Sequence, residues 1–380
     1  YLHGETFYRM FLAGVSLAVA AIPEGLPAIV TICLALGVQR MVRRGAIIRS
    51  LPAVETLGCA TVICSDKTGT LTRNEMTVVR VVTPEREYEV TGHGYDPRGR
   101  ILVSGEPVAA RAEPALAKLL EAGYVCNNAC LERRGADVWG IRGDPTEGAL
   151  KVLGAKGGID RRAEALERVA EVPFDPERRM MSVICSGRGG LRLYAKGAPA
   201  TILGRCTHYL RAKGPSPLGG AERDRFLRHT DALAAEALRV LALAYREVKE
   251  VPEQDALPEL EDGLTFLGLV GIIDPPRPEV REAVRVCRRA GIRAVMITGD
   301  HKYTAAGIAA RIGLPVGERR VLTGDELDQM DDDELERRSA EVTVYARVSP
   351  RHKLRIVRAL KSAGEIVAMT GDGVNDAPAV

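Results

Sequence analysis

Hydrophobic residues are unevenly distributed along the chain, with one long apolar run near the start and short runs afterwards. Residues 10–36 are apolar except for Glu24 and small polar residues. As a helix, these roughly 27 residues would span about 40 Å, which exceeds the ~30 Å hydrocarbon core of a bilayer. Pro23 and Pro27 interrupt helical hydrogen bonding, so the pattern predicts two shorter half-helices in a membrane. A buried hairpin of a soluble protein is the alternative.

Basic residues follow this run, at Arg40, Arg43, Arg44 and Arg49. Such a cluster predicts that the C-terminal side of the membrane segment faces the cytosol. We therefore assign residues 1–48 to a transmembrane segment of a multi-pass membrane protein whose catalytic domains are cytoplasmic.

Strands and helices alternate after residue 273. Amphipathic helical patterns occupy 278–291, 303–313 and 350–364, apolar strand-like runs occupy 292–300 and 342–348, and a strand followed by a loop occupies 365–376. This alternation predicts an α/β fold with a doubly wound parallel sheet. The run at 60–66 fits the same sheet but lies more than 200 residues upstream.

The intervening residues, 73–273, contain both strand-like and helical patterns and are interpreted as an insertion in the parallel-sheet domain. Strand-like runs lie at 76–82, 180–186 and 191–197, helical ones at 114–126 and 231–244, and a turn-rich loop at 92–100. The predicted organisation is a phosphate-chemistry domain in two parts, 49–72 and 274–380, interrupted by an inserted α+β domain at 73–273.

Composition narrows the function classes only slightly. The formal net charge of +3 is too small to argue for nucleic-acid binding. The 8 cysteines include no CxxC pair, which favours reduced cytosolic thiols. Cys126 and Cys130 are spaced as one helical turn. The chain starts without Met and ends just after GDGVND, and we expect a longer protein.

Three apolar strands end in an aspartate, at Asp66, Asp300 and Asp372. Ligands of parallel sheets bind at the carboxyl ends of strands, and clustered carboxylates there require a cation. Mg²⁺ with phosphate suits this edge, because Mg²⁺ prefers a few carboxylates together with phosphate oxygens. Lys353, at the start of a predicted helix, can offset the charge of a phosphoryl group.

Asp66 precedes KTGT, in which Gly69 permits a tight turn and the threonines can hold phosphate oxygens. A carboxylate nucleophile at this position makes an acyl phosphate. Thr68 stands two positions later, where a second aspartate would act as a general acid–base and hydrolyse the intermediate. Its absence predicts a long-lived phosphoenzyme.

The motifs CSDKTGTLT, MITGD and GDGVNDAP, in this order, resemble those of P-type ATPases, whose core is haloacid-dehalogenase-like. The resemblance covers the whole chain and implies phosphorylation of Asp66 and Mg²⁺ binding by Asp66, the Thr68 carbonyl and Asp372. It implies further catalytic or phosphate-contacting roles for Lys67, Thr298, Gly299, Asp300, Lys353, Asn375 and Asp376.

The inserted domain resembles the nucleotide-binding domain of the same family. VPFDPERRMM and YAKGAP match the segments in which a phenylalanine stacks on adenine and a lysine lines the pocket. GDPTEGAL and LRVLALAYR match two further pocket segments. The ATP-binding residues implied are Glu147, Phe174, Arg179, Met181, Lys196 and Arg239. Asp274 and Arg347 are predicted to lie at the hinge between the two domains or beside the phosphates of the nucleotide. Asp274 could equally well be a carboxylate that only stabilises a turn.

Glu24 lies between two prolines inside the predicted membrane segment, where an ionisable residue is costly unless it binds something. Backbone carbonyls freed by the prolines can ligate a hard cation beside it. A salt bridge to another helix is the alternative. AAIPEGLP resembles the fourth transmembrane helix of calcium pumps, which implies Ca²⁺ ligation by Glu24 and the carbonyls of Val19, Ala20 and Ile22. Mn²⁺ or a monovalent cation stays open.

Two other function classes compete with a pump. The first is a phosphatase of the haloacid-dehalogenase type, which would not need the apolar run and would not need Thr68 where an aspartate could stand. The second is a non-catalytic nucleotide-binding protein, which would not need Asp66. The chain contains no match to the family's actuator domain or later transmembrane helices, so we expect it to bind ATP, without pumping by itself.

Overall fold

Two apolar helices lead the chain in the computed structural model, which describes residues 6–22, 25–135, 137–159, 165–187 and 189–371. Helix α1 (Phe7–Ala20) ends before the predicted break, and α2 (Leu26–Arg43) begins with Pro27 in its first turn, where a proline costs no hydrogen bond. Neither helix contains a buried residue. Within the described residues, only α2 is both long and apolar enough to cross a membrane.

The remaining elements alternate along the chain. The further helices are α3 (Leu51–Gly58), α4 (Pro114–Val125), α5 (Pro145–Lys156), α6 (Pro199–Arg205), α7 (Gly220–Ala235), α8 (Val280–Arg289), α9 (Lys302–Arg311), α10 (Gly324–Gln329), α11 (Asp332–Ser339) and α12 (Pro350–Ser362). The strands are β1 (Val62–Asp66), β2 (Thr77–Val82), β3 (Glu87–Val90), β4 (Ile101–Val103), β5 (Glu106–Pro107), β6 (Cys130–Arg133), β7 (Trp139–Arg142), β8 (Glu167–Asp175), β9 (Met180–Gly187), β10 (Gly190–Gly197), β11 (Cys206–Arg211), β12 (Gly214–Pro217), β13 (Arg239–Val248), β14 (Leu264–Ile273), β15 (Arg293–Ile297), β16 (Val321–Thr323), β17 (Val344–Ala346) and β18 (Val367–Thr370).

A parallel sheet contains the strand that ends in Asp66. Its order is β16-β17-β15-β1-β18, and every pairing in it is parallel. The apolar run at 60–66 therefore joins strands that lie far downstream, as predicted. Because β15 and β18 flank β1, the residues that follow these three strands meet at one edge.

A second, antiparallel sheet is built from residues 77–273. Its order is β5-β4-β3-β2-β14-β13-β10-β9-β8, with β11 pairing alongside β14. Helices α4 and α5 pack on one face against Met181 and Val183, and α6 and α7 pack on the other against Met180 and Ile184. The described molecule is thus a mixed α/β protein with one parallel and one main antiparallel sheet.

Two sequence-based predictions in this region were wrong. The helix predicted at 231–244 ends at Ala235, and the residues from Arg239 form β13. Ala237 breaks the helix with φ +62°, and the leucines and alanines that follow are buried in β13, between β14 and β10. Burial in the sheet overrides their helix propensity. Cys126 and Cys130 do not share a helical turn, because α4 ends at Val125 and Cys130 begins β6.

The two sheets are connected by two chain segments that run side by side. Thr72 forms a bridge with Pro276, and Arg277 N donates to Leu71 O at 2.9 Å. The Asp274 carboxylate accepts bonds from Thr72 Oγ1 at 2.6 Å and from Glu75 N at 3.3 Å. Asp274 therefore joins the segment that leaves the parallel sheet to the one that returns.

Candidate functional site

Asp66 lies at the carboxyl end of β1, which runs between β15 and β18. Lys353 Nζ is 2.5 Å from its Oδ2, and Thr68 N donates to its Oδ1 at 3.2 Å. Lys353 belongs to the first turn of α12, which Ser349 and His352 cap reciprocally, and is only 5% exposed. The predicted nucleophile is thus held by a buried cation and a backbone donor.

The turn after Asp66 is fixed by glycine and by one residue the sequence analysis missed. Gly69 has φ +76°, which favours glycine, and Thr68 before it is extended. Arg277 donates to the carbonyls of Gly69 at 2.8 Å and Thr70 at 3.2 Å. Arg277 stands in the DPPRP run, and only the fold brings it to the turn.

Lys67 is buried in an ion-pair network beside Asp66. Its Nζ is 2.7 Å from Asp300 Oδ2 and 3.4 Å from Asp274 Oδ2. Through these two ion pairs, Lys67 links the turn after Asp66 to Asp300, which follows β15, and to Asp274, which lies in the segment between the sheets. The backbone of Arg347, at φ +51°, donates to the Asp300 carbonyl at 2.8 Å.

Gly299 and Arg347, two of the predicted phosphate-side residues, line a cleft at this edge, whereas Asp66, Thr298 and Lys353 are not among its lining residues. Thr298 is buried and its Oγ1 accepts a bond from Asp300 N at 3.1 Å. The cleft has a volume of about 470 Å³, and its charged lining contains Lys67, Arg239, Asp274, Asp300 and Arg347, with Gly299. The predicted residues Asp372, Asn375 and Asp376 lie outside the described residues.

A larger cavity of about 630 Å³ lies on the antiparallel sheet under α5. Met181 and Lys196 are cross-strand partners in its floor, and Phe174 stands at its rim with 60% of its surface exposed. Six of the residues predicted to bind ATP line it, namely Glu147, Phe174, Arg179, Met181, Lys196 and Arg239, whereas Arg347 lines the cleft at the parallel sheet. Arg239 also lines the cleft near Asp66, so one side chain borders both spaces.

The cavity wall is polar, and its floor combines the apolar Met181 with the buried amine of Lys196. Lys196 Nζ is 2.5 Å from Glu147 Oε1, and Arg239 donates to Thr146 Oγ1 at 3.0 Å. Beneath the floor, the Cys126 thiol contacts the Met181 carbonyl at 3.6 Å. Burial raises the pKa of Cys126 to about 12, so this thiol stays protonated at neutral pH.

Sequence reasoning missed four polar residues of this cavity: Asn128, Asp144, Thr146 and Glu171. Asp144 accepts bonds from Thr146 N at 2.8 Å and Glu147 N at 3.1 Å and so caps α5. The sequence DPTE at 144–147 is a typical helix N-terminus, so this capping role of Asp144 could have been predicted. Glu171 lies three residues before Phe174 on β8, but nothing in the sequence indicates which face of the strand it occupies.

The residues predicted to bind Mg²⁺ are described only in part. No group of three or more His, Cys, Asp or Glu side chains suited to a metal occurs within the described ranges. The Asp66 carboxylate and the Thr68 carbonyl offer the hard oxygen donors that Mg²⁺ prefers, and both belong to the same turn. The described part of the site fits the ion, with Asp372 as the further ligand predicted from sequence.

The predicted transport site lies at the end of α1. Val19 and Ala20 are its last two residues, and Ile22 N donates back to the Val19 carbonyl at 3.1 Å. The helix therefore ends where carbonyl ligands were predicted, although the Val19 carbonyl has an internal partner. Glu24 lies outside the described residues.

Comparisons with known proteins agree on one family. Residues 115–279 match a family model described as "P-type ATPase, cytoplasmic domain N". A calcium-transporting ATPase of Bacillus subtilis is 48% identical over 100% of this chain and 43% of its own length. The cation-transporting ATPase pma1 of Synechocystis is 46% identical over 99% of this chain and 42% of its own.

A human relative, calcium-transporting ATPase type 2C member 1, is 45% identical over 100% of this chain and 40% of its own length. The chain thus spans less than half the length of these curated relatives. The identity extends over both sheets and the two apolar helices, since it covers essentially the whole chain.

Proposed function

Because this chain belongs to the P-type ATPase family, we propose that it carries the ATP-binding and phosphorylation parts of an ATP-driven pump for a cation, most simply Ca²⁺. The observation that carries the proposal is the pairing of a buried cation, Lys353, with Asp66 at the carboxyl end of β1, between the parallel strands β15 and β18. Arg239 borders both this cleft and the larger cavity, so one extended nucleotide can occupy both.

The proposed architecture is that of a haloacid-dehalogenase-like phosphorylation domain with an inserted nucleotide-binding domain. The phosphorylation domain comprises residues 49–72 and 274–380, and the insertion comprises 73–273. The side-by-side segments at Thr72 and Pro276 serve as the hinge between them. Residues 1–48 form the membrane segment, and the bilayer is the proposed environment of the exposed apolar surface of α1 and α2.

In the proposed nucleotide complex, adenine stacks on Phe174 over the Met181 floor. Lys196, Arg179 and Arg239 supply positive charge along the path toward the phosphates. Arg347 and Lys67 then meet the terminal phosphates in the cleft beside Asp66. This order places the base on the antiparallel sheet and the γ-phosphate at the parallel one.

Phosphoryl transfer in this arrangement is an in-line displacement. One carboxylate oxygen of Asp66 forms a bond to the γ-phosphorus, and the bond from that phosphorus to the β–γ bridging oxygen breaks. ADP leaves with the electron pair. Lys353 and the backbone N–H groups of the 67–71 turn stabilise the charge on the transferred group. Bound Mg²⁺, held by Asp66, Thr68 O and Asp372, would neutralise phosphate charge.

The lifetime of the phosphoenzyme distinguishes a pump from a phosphatase. Thr68 stands where an aspartate would activate water, and its backbone N–H donates to Asp66. The acyl phosphate therefore lacks this route to rapid hydrolysis and lasts long enough for a conformational change.

The proposed cation site lies at the break between α1 and α2, with Glu24 and the carbonyls of Val19, Ala20 and Ile22. The relatives named calcium-transporting favour Ca²⁺. The Synechocystis relative is named cation-transporting, so Mn²⁺ and monovalent ions belong in the same ion screen.

We expect the full gene product, given radiolabelled ATP and Mg²⁺, to form an acid-stable, hydroxylamine-labile phosphoenzyme only when Ca²⁺ is present. Glu24→Gln should remove this Ca²⁺ dependence, because the substitution removes the charge that binds the ion. Glu106→Gln, on the exposed hairpin strand β5, is the control. Unchanged Ca²⁺ activation in Glu24→Gln would place the ion site elsewhere.

Phe174→Ala should weaken ATP binding to the chain about fivefold, since stacking contributes on the order of 1 kcal/mol. Titration calorimetry with ATP measures the change. Val169→Ala, another exposed apolar position on β8, is the matched control and should bind normally. Equal affinities for wild type and Phe174→Ala would refute the stacking position.

A further inference from the structure

We propose that His352 is a positioning residue for phosphoryl transfer, because its ring fixes the first turn of α12 and thereby holds the Lys353 amine against Asp66. This inference rests on the proposed phosphorylation of Asp66 and adds a residue that acts through Lys353. It follows from the hydrogen bonds of the His352 ring, from the packing of α10 and from the burial of Lys353.

The His352 imidazole closes the cap of α12. Ser349 Oγ accepts a bond from His352 N at 3.4 Å, and Ser349 N donates back to His352 Nδ1 at 3.2 Å. In the usual capping box a glutamate or glutamine accepts this second bond, and here the imidazole takes that place. Because Lys353 follows directly in the same turn, the cap also sets the position from which the Lys353 side chain leaves the helix.

The other ring nitrogen ties this turn to α10. Since Nδ1 accepts the bond from Ser349 N, a neutral His352 carries its proton on Nε2. Nε2 lies 2.9 Å from Asp328 Oδ1, so the ring donates to a residue of α10. The His352 side chain is only 11% exposed, and its orientation is therefore fixed through both nitrogens.

Helix α10 packs tightly against this turn. A Cβ atom added to Gly324, the first residue of α10, would collide with the Arg347 carbonyl and would lie 3.0 Å from His352 Nδ1. The start of α10 is itself fixed, because Thr323 and Glu326 form a reciprocal capping box. The His352 ring therefore holds α12 against an element whose own first turn is capped.

The consequence for the chemistry lies at Lys353. Its Nζ is 2.5 Å from Asp66 Oδ2, and its side chain is 7% exposed, so α12 delivers the amine to the carboxylate through a closely packed space. A misplacement of about 1 Å at a reacting centre can cost roughly 100-fold in rate. Without the reciprocal cap, an amide group at the start of α12 loses its partner, and the turn that carries Lys353 is held less firmly.

The test compares His352→Ala with His352→Gln, Lys353→Met and the double variant His352→Ala/Lys353→Met in the full gene product. Rapid-quench labelling with radiolabelled ATP at a saturating concentration gives the rate of phosphoenzyme formation, and calorimetry gives the affinity for ATP. Arg358→Ala, at an exposed position of the same helix, is the control and should label as wild type does. Thermal unfolding verifies that each variant is folded.

We expect His352→Ala to slow phosphoenzyme formation about tenfold while the affinity for ATP stays within about twofold, because the substitution displaces a reacting group without touching the larger cavity. Glutamine restores the reciprocal cap, so His352→Gln should keep at least about half of the wild-type rate. In the Lys353→Met background, His352→Ala should slow the reaction little further, because the residue that it positions has been removed.

An unchanged rate in His352→Ala would overturn the inference. Equal fold losses for His352→Ala in the wild-type and Lys353→Met backgrounds would also overturn it, because the histidine would then act independently of Lys353. A His352→Gln variant as slow as His352→Ala would show that the cap does not position the lysine. Absence of phosphoenzyme in the wild type would instead refute the proposed phosphorylation, and the inference would fall with it.

Discussion

Replacing Asp66 with asparagine will abolish phosphorylation from ATP while ATP binding persists. The amide of asparagine is not a nucleophile toward phosphorus, and Asp66 is the described carboxylate that ends β1 beside Lys353. The nucleotide cavity lies on the other sheet and keeps all its lining residues, so affinity for ATP should stay within a few fold or increase as a negative charge is removed.

The measurement is acid-stable labelling of the full gene product with radiolabelled ATP, followed by hydroxylamine treatment. Asp333→Asn, on the exposed first turn of α11, makes the same chemical change away from the site and should label as wild type does. Hydroxylamine-sensitive label that persists in Asp66→Asn would show that another residue is phosphorylated.

Replacing Lys353 with methionine should slow phosphoenzyme formation about a hundredfold or more. Lys353 is 5% exposed and lies 2.5 Å from the attacking carboxylate of Asp66, so its charge acts in a site with little water. Removing one preorganised donor of this kind from a reacting centre costs on the order of 10² to 10³ in rate. Methionine retains most of the side-chain volume, which limits damage to packing.

Rapid-quench labelling at saturating ATP isolates this step from nucleotide binding. Lys361→Met, in the exposed last turn of the same helix, is the matched control. If the rate fell less than fivefold in Lys353→Met, the lysine would be a structural partner of Asp66, with no role in stabilising the transferred group.

Most of the candidate chemistry was predictable because short local runs carry it. Asp66 with its glycine turn depends on consecutive residues, and α12 begins at a local capping signal, so Lys353 was correctly placed in a first turn. The alternation of strands and helices after residue 273 predicted the parallel sheet. The match of 115–279 to the nucleotide-domain model and the identity to known pumps confirm the family that these motifs indicated.

The prediction failed where burial competes with local propensity. The run from Arg239 contains leucine and alanine, which favour helices in isolation, yet it forms β13 because strands on both sides hydrogen-bond to it. That error hid how Arg239 comes to line both the cavity and the cleft. The face of the sheet on which the Glu171 side chain lies could not be predicted either, because the pairing register of β8 with its neighbours decides it.

The sequence by itself indicated the family, predicted Asp66 as the nucleophile and named six residues that line the larger cavity, because these depend on motifs of adjacent residues. Tertiary structure alone decided that Arg277 fixes the turn after Asp66, that Lys67 bridges Asp274 and Asp300, and that Asn128 and Arg168 orient Glu171. Apart from the Arg168–Glu171 bond, which spans three residues, these contacts join residues from 43 to 233 positions apart. No local pattern encodes them, since they exist only once β-strand register and the two segments between the sheets bring the side chains together.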